Sequence, residues 1–205
     1  MQGRIDMFAS SDDIRHHTQL CEIMARAGSD KSTRHQYTRL YHFLWNDWRD
    51  KPIRLLEIGI GTNYTDTPSS MGPDGVPAAS LRGWQEYFHK AKDIIGADID
   101  VRILDDRDPG ITKLYVDQCD RQSLQTLSTR VGGDESLDII IEDGLHAFHA
   151  NIKALEELSP CLKVGGYYIV EDVDPNLLQK WCEYLRQSVD NQCFQTAHAD
   201  RKSVV

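Results

Sequence analysis

The stretch "LLEIGIGTN" at residues 55–63 joins a run of leucine and isoleucine to a loop that contains Gly59 and Gly61. A short apolar run that ends at glycine is typical of a buried strand followed by a tight turn. Glycine adopts a positive φ without strain and lets a ligand or another backbone segment approach closely. The motif therefore predicts the first strand of an α/β sheet. It leaves open whether the loop is a plain turn or binds a ligand.

Apolar runs alternate with amphipathic segments through the rest of the chain. This alternation is typical of a mostly parallel central sheet with helices on both faces, in which ligands bind beyond the carboxyl ends of the strands. Residues 163–166, "KVGG", are predicted to form a turn. The predicted strands cover 53–60, 93–100, 111–118, 137–144, 167–173 and 193–199, and the predicted helices cover 80–91, 120–131, 146–162 and 175–189.

Two further helices, at 11–27 and 35–47, are predicted before the first strand. We therefore expect an N-terminal helical extension over residues 1–50 and a main domain over residues 51–205. The sequence ends at "DRKSVV", where another strand is expected. Either the sheet lacks its last strand, or the domain is shortened at its C-terminal edge.

Composition narrows the classes of partner. The 205-residue chain carries a formal net charge of −9, which disfavours nucleic acid or an anionic membrane as its main partner. No apolar run approaches the ~20 residues that a membrane-spanning helix needs. The five cysteines are scattered and include no C-x-x-C pair. A reducing, cytoplasmic location is therefore expected.

Polar side chains follow the second and third predicted strands. Asp98 ends the second strand, where an acid can accept hydrogen bonds from both ribose hydroxyls of a nucleotide. Asp117 and Gln118 end the third strand, where they could contact an adenine ring. Each of these residues alone is also a common turn former. Because all of them fall on one edge of the predicted sheet, together with Gly59 and Gly61, they indicate a nucleoside site.

The first loop discriminates between two nucleoside cofactors. A dinucleotide loop usually has the pattern G-x-G-x-x-G, and the third glycine is absent here. Glu57 precedes the first glycine; its carboxylate would repel a pyrophosphate but would favour a cationic sulfonium. This favours S-adenosylmethionine, and an NAD-binding oxidoreductase remains the alternative.

Taken in order, six stretches carry a family resemblance. They are "LLEIGIGTN", "SMGPDGVPAASLRGW", "YFHKAKDIIGADID", "YVDQ", "DIIIEDGLHAF" and "GGYYIVEDV". The sequence resembles the class I S-adenosylmethionine-dependent methyltransferases, which have a Rossmann-like fold. Its nearest branch looks like the metal-dependent sugar O-methyltransferases of the macrocin and mycinamicin type. The resemblance covers roughly residues 28–174 and includes "GSDKSTRHQYTRLY" at 28–41.

This resemblance implies a seven-stranded sheet with one antiparallel strand near its end. It also implies a cofactor loop at Gly59 and Gly61 and a ribose-binding acid at Asp98. Ser80 would lie close to the cofactor, and the loop at 63–79 would border the active site. Composition alone shows only that this loop is long and polar, so it is either a lid or simply a mobile connection.

Acids also end the fourth and fifth strands, which are neighbours in the resembled fold. Asp143 would face the pair Glu171 and Asp172. Carboxylates at such short range repel each other unless a cation joins them, and oxygen ligands suit Mg²⁺. Alternatively, Glu142 and Glu171 point away and cap nearby helices. With support from the resemblance, Asp143, Glu171 and Asp172 are predicted to bind a metal ion.

His146 follows Asp143 by three residues. In the resembled family a histidine at this position is the general base, and methyl transfer to a hydroxyl needs one because a neutral alcohol is a poor nucleophile. The prediction is Mg²⁺-assisted O-methylation of a sugar hydroxyl on a glycan or a glycosylated small molecule. A non-catalytic relative and a metal-independent or nitrogen-directed methyltransferase remain alternatives. The N-terminal helices are candidates for a homo-oligomer interface.

Side chains of the N-terminal segment have two interpretations. Lys31, His35, Tyr37 and Tyr41 could cover the cofactor or touch the substrate. The helical spacing of Tyr37 and Tyr41 is equally typical of core residues.

Overall fold

One sheet organises the protein. The computed structural model describes residues 16–105, 107–190 and 203–204. Within them the strands run in the order β3-β2-β1-β4-β5-β6, and every pair is parallel. The strands are β1 Arg54–Ile58, β2 Asp93–Asp98, β3 Ile111–Tyr115, β4 Leu137–Glu142, β5 Leu162–Val170 and β6 Ser203–Val204. The helices are α1 Gln19–Ala27, α2 Tyr37–Trp45, α3 Ala79–Tyr87, α4 Arg121–Arg130, α5 Phe148–Leu158 and α6 Leu178–Asp190.

The predicted α/β class with a mostly parallel sheet is confirmed. The turn predicted at 163–166 is wrong, because these residues lie within β5. Leu137 pairs with Leu162 but Ile139 pairs with Tyr167, so β5 bulges out of register between the two pairs. The strand predicted at 193–199 lies outside the described residues, and so does the start of the helix predicted at 11–27.

Helices cover both faces of the sheet. Adjacent residues of β1 show the division, because Leu55 packs into one core cluster and Leu56 into the other. The first cluster contains side chains of α1, α2 and α3, including Met24, Trp45 and Trp84. The second is covered by α4, α5 and α6. The two helices of the predicted N-terminal extension thus share a core with the sheet.

A tight connection after α1 sets the path of the N-terminal segment. Thr18 caps the start of α1, and Gly28 ends the helix at a φ of 86°. This left-handed conformation favours glycine and turns the chain sharply. Ser29 then caps a single turn of 3₁₀ helix, Asp30–Ser32, and its side chain accepts a hydrogen bond from the backbone N–H of Lys31. The turn directs Lys31 inward, where it is buried.

None of the helices in the described part of the chain has the length and apolar character needed to cross a membrane.

The packing of α1 on α3 depends on Gly83, because a Cβ atom there would lie 2.3 Å from the Sδ atom of Met24. We expect Gly83→Leu to lower the Tm, because overpacking of about 1–3 kcal/mol exceeds a helix-propensity gain of up to about 1 kcal/mol. In a Met24→Ala background the same substitution should raise the Tm, because the added side chain fills the space vacated. Thermal unfolding of the four proteins checks this. An equal loss in both backgrounds would contradict the assigned contact.

Candidate active site

Acidic side chains collect at the carboxyl ends of four neighbouring strands. Because parallel strands end at the same edge, residues far apart in sequence meet there. Glu57 is the second-last residue of β1 and Asp98 is the last residue of β2, and both are buried. Asp143 follows β4, while Glu171 and Asp172 follow β5.

A cavity of about 280 Å³ opens at this edge. Its size is near the lower end of the ~300–1,000 Å³ typical of small-molecule sites. Its wall contains six of the predicted site residues, namely Gly59, Gly61, Asp98, Asp117, Gln118 and Asp143. The structure thus brings together most of the predicted nucleoside-binding residues and places one predicted metal ligand beside them.

The glycine loop is shaped by contacts within the protein. Gly59 has a φ of 83°, and a Cβ atom there would lie 2.1 Å from the backbone oxygen of Asp143. Gly61 has a φ of 79°, and a Cβ atom there would lie 2.4 Å from the Sδ atom of Met71, in the loop predicted to border the site. Gly59 therefore lets the loop after β1 lie directly against the turn after β4.

Asp98 links the glycine loop to the end of β2 through hydrogen bonds. Its carboxylate accepts hydrogen bonds from the backbone N–H groups of Ile60 and Asp100, each at 2.9 Å. Burial raises the pKa of Asp98 above its usual range. The backbone of Gly61 is a third hydrogen-bond partner. A carboxylate has about four acceptor sites, so Asp98 can still accept a ligand hydroxyl from the cavity.

Gln118 joins the end of β3 to the turn after β4. Its Nε2 donates to Glu142, and its Oε1 accepts the backbone N–H of Leu145 at 2.8 Å. A Cβ atom at Gly144 would lie 1.9 Å from that oxygen, so the turn fits against Gln118 only with glycine there. Asp117 accepts the backbone N–H of Cys119 at 2.8 Å. Both predicted adenine contacts thus also have structural partners.

Glu57 and Ser80 do not line the cavity. Glu57 is fully buried and accepts a hydrogen bond from Trp84 Nε1 at 2.6 Å, and Ser80 also hydrogen-bonds to it. Burial raises the pKa of Glu57. Instead of facing a ligand, Glu57 Oε1 lies 3.3 Å from the ammonium nitrogen of Lys31.

Lys31, for which the sequence left open a contact with the cofactor or with the substrate, contacts acidic side chains instead. Its ammonium lies 2.6 Å from Asp143 Oδ2 and 2.6 Å from Glu171 Oε2, and its side chain is only 3% exposed. Burial alone would lower the pKa of Lys31, but the charges of Asp143, Glu171 and Glu57 outweigh it and raise the pKa well above its ordinary value. The lysine therefore stays charged. Nothing in a single lysine between two polar turn residues signals such contacts.

Glu171 and Asp172 point in different directions. Glu171 is buried between Lys31 and the hydroxyl of Tyr41, which donates to its Oε1. Asp172 is partly exposed instead; it accepts a hydrogen bond from Tyr37 and lies 3.6 Å from His35 Nδ1. The rings of Tyr37 and Tyr41 pack with the core, as one of the two interpretations predicted, and their hydroxyls donate to Asp172 and Glu171.

Asp143, His146 and Asp172 form a compact cluster. Each offers one ligand atom, and these atoms lie within 4.8 Å of one another. His146 Nε2 is 3.1 Å from Asp143 Oδ1 and 3.9 Å from Asp172 Oδ2. The hydrogen bond to Asp143 raises the pKa of His146. Two carboxylates and an imidazole at this range fit a small divalent cation.

Backbone strain coincides with this cluster. His146 and Asp172 adopt positive φ values of 57° and 52°, which non-glycine residues rarely do. Such conformations cost about 1–3 kcal/mol each and concentrate at functional sites. The strain turns both side chains toward Asp143 and supports a functional role for the cluster.

Comparison with known proteins also indicates a methyltransferase fold. No protein-family model matches the chain. It is 32% identical over 169 residues to the 8-demethyl-8-alpha-L-rhamnosyl tetracenomycin-C 2'-O-methyltransferase of Streptomyces olivaceus, which covers 82% of this chain and 41% of that protein. It is 30% identical over 173 residues to the mycinamicin VI 2''-O-methyltransferase of Micromonospora griseorubida, with 83% of this chain and 39% of that protein covered.

Solved structures agree. MycE methyltransferase from the mycinamycin biosynthetic pathway, in complex with Mg and SAH, superposes with a TM-score of 0.68 at 25% identity, covering 86% of this chain and 50% of that one. A complex of the same enzyme with Mg, SAH and mycinamycin VI also gives a TM-score of 0.68, at 26% identity over 86% of this chain and 47% of that one. The chain belongs to the class I methyltransferase family. The predicted Rossmann-like fold and the predicted resemblance to macrocin- and mycinamicin-type enzymes are confirmed.

These matches have a defined extent. The chain spans about two fifths of the length of the two curated relatives, 41% and 39%. The roles of the individual site residues remain predictions.

The contact between the glycine loop and the turn after β4 can be tested with a matched pair of substitutions. Gly59→Ala adds a Cβ atom against backbone, whereas Gly133→Ala, at a φ of 72°, meets nothing within 4 Å. We expect Gly133→Ala to cost only the left-handed strain of about 1–2 kcal/mol. Gly59→Ala should cost at least about 2 kcal/mol more, because backbone must move. Urea unfolding measures both, and equal losses would contradict the contact.

Proposed function

We propose that this protein transfers the methyl group of S-adenosylmethionine to a sugar hydroxyl, assisted by Mg²⁺. The observation that carries the proposal is the cluster of Asp143, His146 and Asp172 beside the cavity of the glycine loop. The relatives support the acceptor class, because they are named as O-methyltransferases of a rhamnosyl tetracenomycin and of mycinamicin VI. A hydroxyl on the sugar of a glycosylated small molecule or glycan is the corresponding acceptor here.

The cavity supplies the groups that would hold the cofactor. The backbone at Gly59 and Gly61 would pass close to it, Asp98 would accept the ribose hydroxyls, and Asp117 and Gln118 would border the adenine. S-adenosylmethionine, when bound, supplies an electrophilic methyl group on a sulfonium. Glu57 and Ser80 would lie behind the residues that line the cavity. From there the negative carboxylate of Glu57 would contribute favourably to the electrostatic potential at a cationic cofactor.

The acid cluster supplies the groups that would hold Mg²⁺. Asp143 Oδ1 and Asp172 face His146 and would be oxygen ligands. Glu171, the third predicted ligand, would join them by giving up its contact with Lys31. The ion, when bound, would lower the pKa of a coordinated acceptor hydroxyl.

His146 would remove the proton from that hydroxyl. Its side chain is 34% exposed, so an acceptor can reach it, and Asp143 Oδ1 at 3.1 Å orients the ring. An imidazole beside two carboxylates is a good proton acceptor, because the developing imidazolium is stabilised by both. Self-association through the N-terminal helices and a cytoplasmic location remain expectations.

The test uses His146→Ala, with His149→Ala, three residues further along the chain, as its matched control. Methyl transfer from labelled S-adenosylmethionine to glycosylated polyketide acceptors should fall by about 10²–10⁴-fold for His146→Ala, the usual contribution of a general base. His149→Ala should retain the wild-type rate, because its ring lies near Cys119, at 3.8 Å, rather than in the cluster. Both variants should bind S-adenosylhomocysteine as the wild type does.

Calorimetric titration separates the alternatives. Binding of NAD instead of S-adenosylhomocysteine would identify a Rossmann oxidoreductase and overturn the proposal. Binding of S-adenosylhomocysteine with no transfer to any sugar acceptor would favour a non-catalytic relative or a different acceptor class. Full activity in EDTA would contradict the role of Mg²⁺.

A further inference from the structure

Three acids converge on one buried ammonium. Lys31 Nζ lies 2.6 Å from Asp143 Oδ2, 2.6 Å from Glu171 Oε2 and 3.3 Å from Glu57 Oε1. The side chains of Lys31, Glu57 and Glu171 are each at most 3% exposed. Within the described part of the chain, Lys31 is the sole lysine or arginine that pairs with Glu57 or Glu171.

A buried carboxylate without a partner is very unfavourable, and removal of one partner from a buried ion pair is strongly destabilising. Water cannot compensate here, because these side chains are almost fully enclosed. The fold therefore needs a positive charge at this position whether or not another ion is bound nearby.

The ammonium of Lys31 and a divalent cation would compete for the same carboxylate groups. Lys31 donates a hydrogen bond to Asp143 Oδ2, while Asp143 Oδ1 faces His146 in the proposed metal cluster. Lys31 also donates a hydrogen bond to Glu171 Oε2, and Tyr41 donates one to the other oxygen of Glu171. The positive charge of Lys31 repels a second cation at short range and occupies oxygens that such a cation would use.

The lysine is held in this position by local structure. Its turn begins at Gly28, whose left-handed φ redirects the chain. The backbone oxygen of Asp30 accepts hydrogen bonds from the N–H groups of Thr33, Arg34 and His35, which closes the turn. Lys31 is therefore a fixed charge rather than a mobile surface side chain.

We propose that Lys31 is the built-in counter-ion of the acid cluster and sets its affinity for divalent cations. It keeps Glu57, Asp143 and Glu171 paired when no metal is bound, and it weakens metal binding so that the ion exchanges readily. Lys31 is thus a positioning residue that acts through the acids. The inference rests on the proposed function, because it takes Asp143 and Asp172 as metal ligands.

The experiment compares the wild type with Lys31→Met, which keeps a long side chain and removes the charge. Calorimetry with MgCl₂ should show Mg²⁺ binding about tenfold or more tightly to the variant, because a nearby like charge is gone. In EDTA the variant should have a lower Tm than the wild type. Mg²⁺ should raise the Tm of the variant more than that of the wild type, since tighter binding to the folded state stabilises it further.

Tyr41→Phe is the matched control. It removes the other hydrogen bond to Glu171 but leaves the charge of Lys31 in place. We expect its affinity for Mg²⁺ to stay within about threefold of the wild type, because no charge changes. A tenfold gain in this control would show that freeing Glu171, and not removing a charge, strengthens metal binding, and would overturn the role assigned to Lys31.

A second variant keeps the test decisive if Lys31→Met does not fold. Lys31→Met combined with Glu57→Gln removes one charge of each sign, so it should be more stable in EDTA than Lys31→Met and should bind Mg²⁺ more tightly than Glu57→Gln alone. Mg²⁺ binding to the wild type with equal or weaker binding after loss of Lys31 would contradict this inference alone. Absence of Mg²⁺ binding in every protein would contradict the proposed function as well.

Discussion

The ammonium of Lys31 pairs with the acids at the carboxyl ends of three strands, β1, β4 and β5, at one edge of the sheet. Asp143 and Glu171 both contact it at 2.6 Å, and Glu57 lies within 3.3 Å. Without this charge, the end of β1 and the turns after β4 and β5 would place like charges together in a buried layer. The same contact joins the N-terminal segment to the carboxyl edge of the sheet. The N-terminal segment thus contacts the candidate site, in which Asp143 and Asp172 lie beside His146.

Much of the fold could be predicted from the sequence because its apolar periodicity is strong. The alternation of strands and helices, the glycine loop and the acids at the strand ends all follow from local residue patterns. The bulge in β5 could not be predicted, because "KVGG" has the composition of a turn and the long-range pairing with β4 resumes only at Tyr167. The sequence also could not predict whether a given side chain faces a ligand or another residue. Gln118 and Glu57 fall at the predicted edge, yet their principal partners are Glu142, Leu145, Trp84 and Lys31.

The cavity and the acid cluster meet at Asp143. Its backbone oxygen packs against Gly59, one carboxylate oxygen contacts Lys31, and the other contacts His146. The glycine loop, Lys31 and His146 therefore all contact one residue, which fixes their relative positions. This arrangement fits in-line methyl transfer, which depends on the alignment of donor, acceptor hydroxyl and base. The strained backbone at His146 and Asp172 is consistent with side chains held for chemistry rather than for stability.

The most direct measurement is a crystal structure grown with Mn²⁺ and S-adenosylhomocysteine, with the ion located by its anomalous scattering. The account predicts one ion in contact with carboxylate oxygens of Asp143 and Asp172, next to His146. It also predicts the homocysteine product in the cavity of Gly59, Gly61 and Asp98. An ion bound away from these acids, or a product bound outside that cavity, would contradict it.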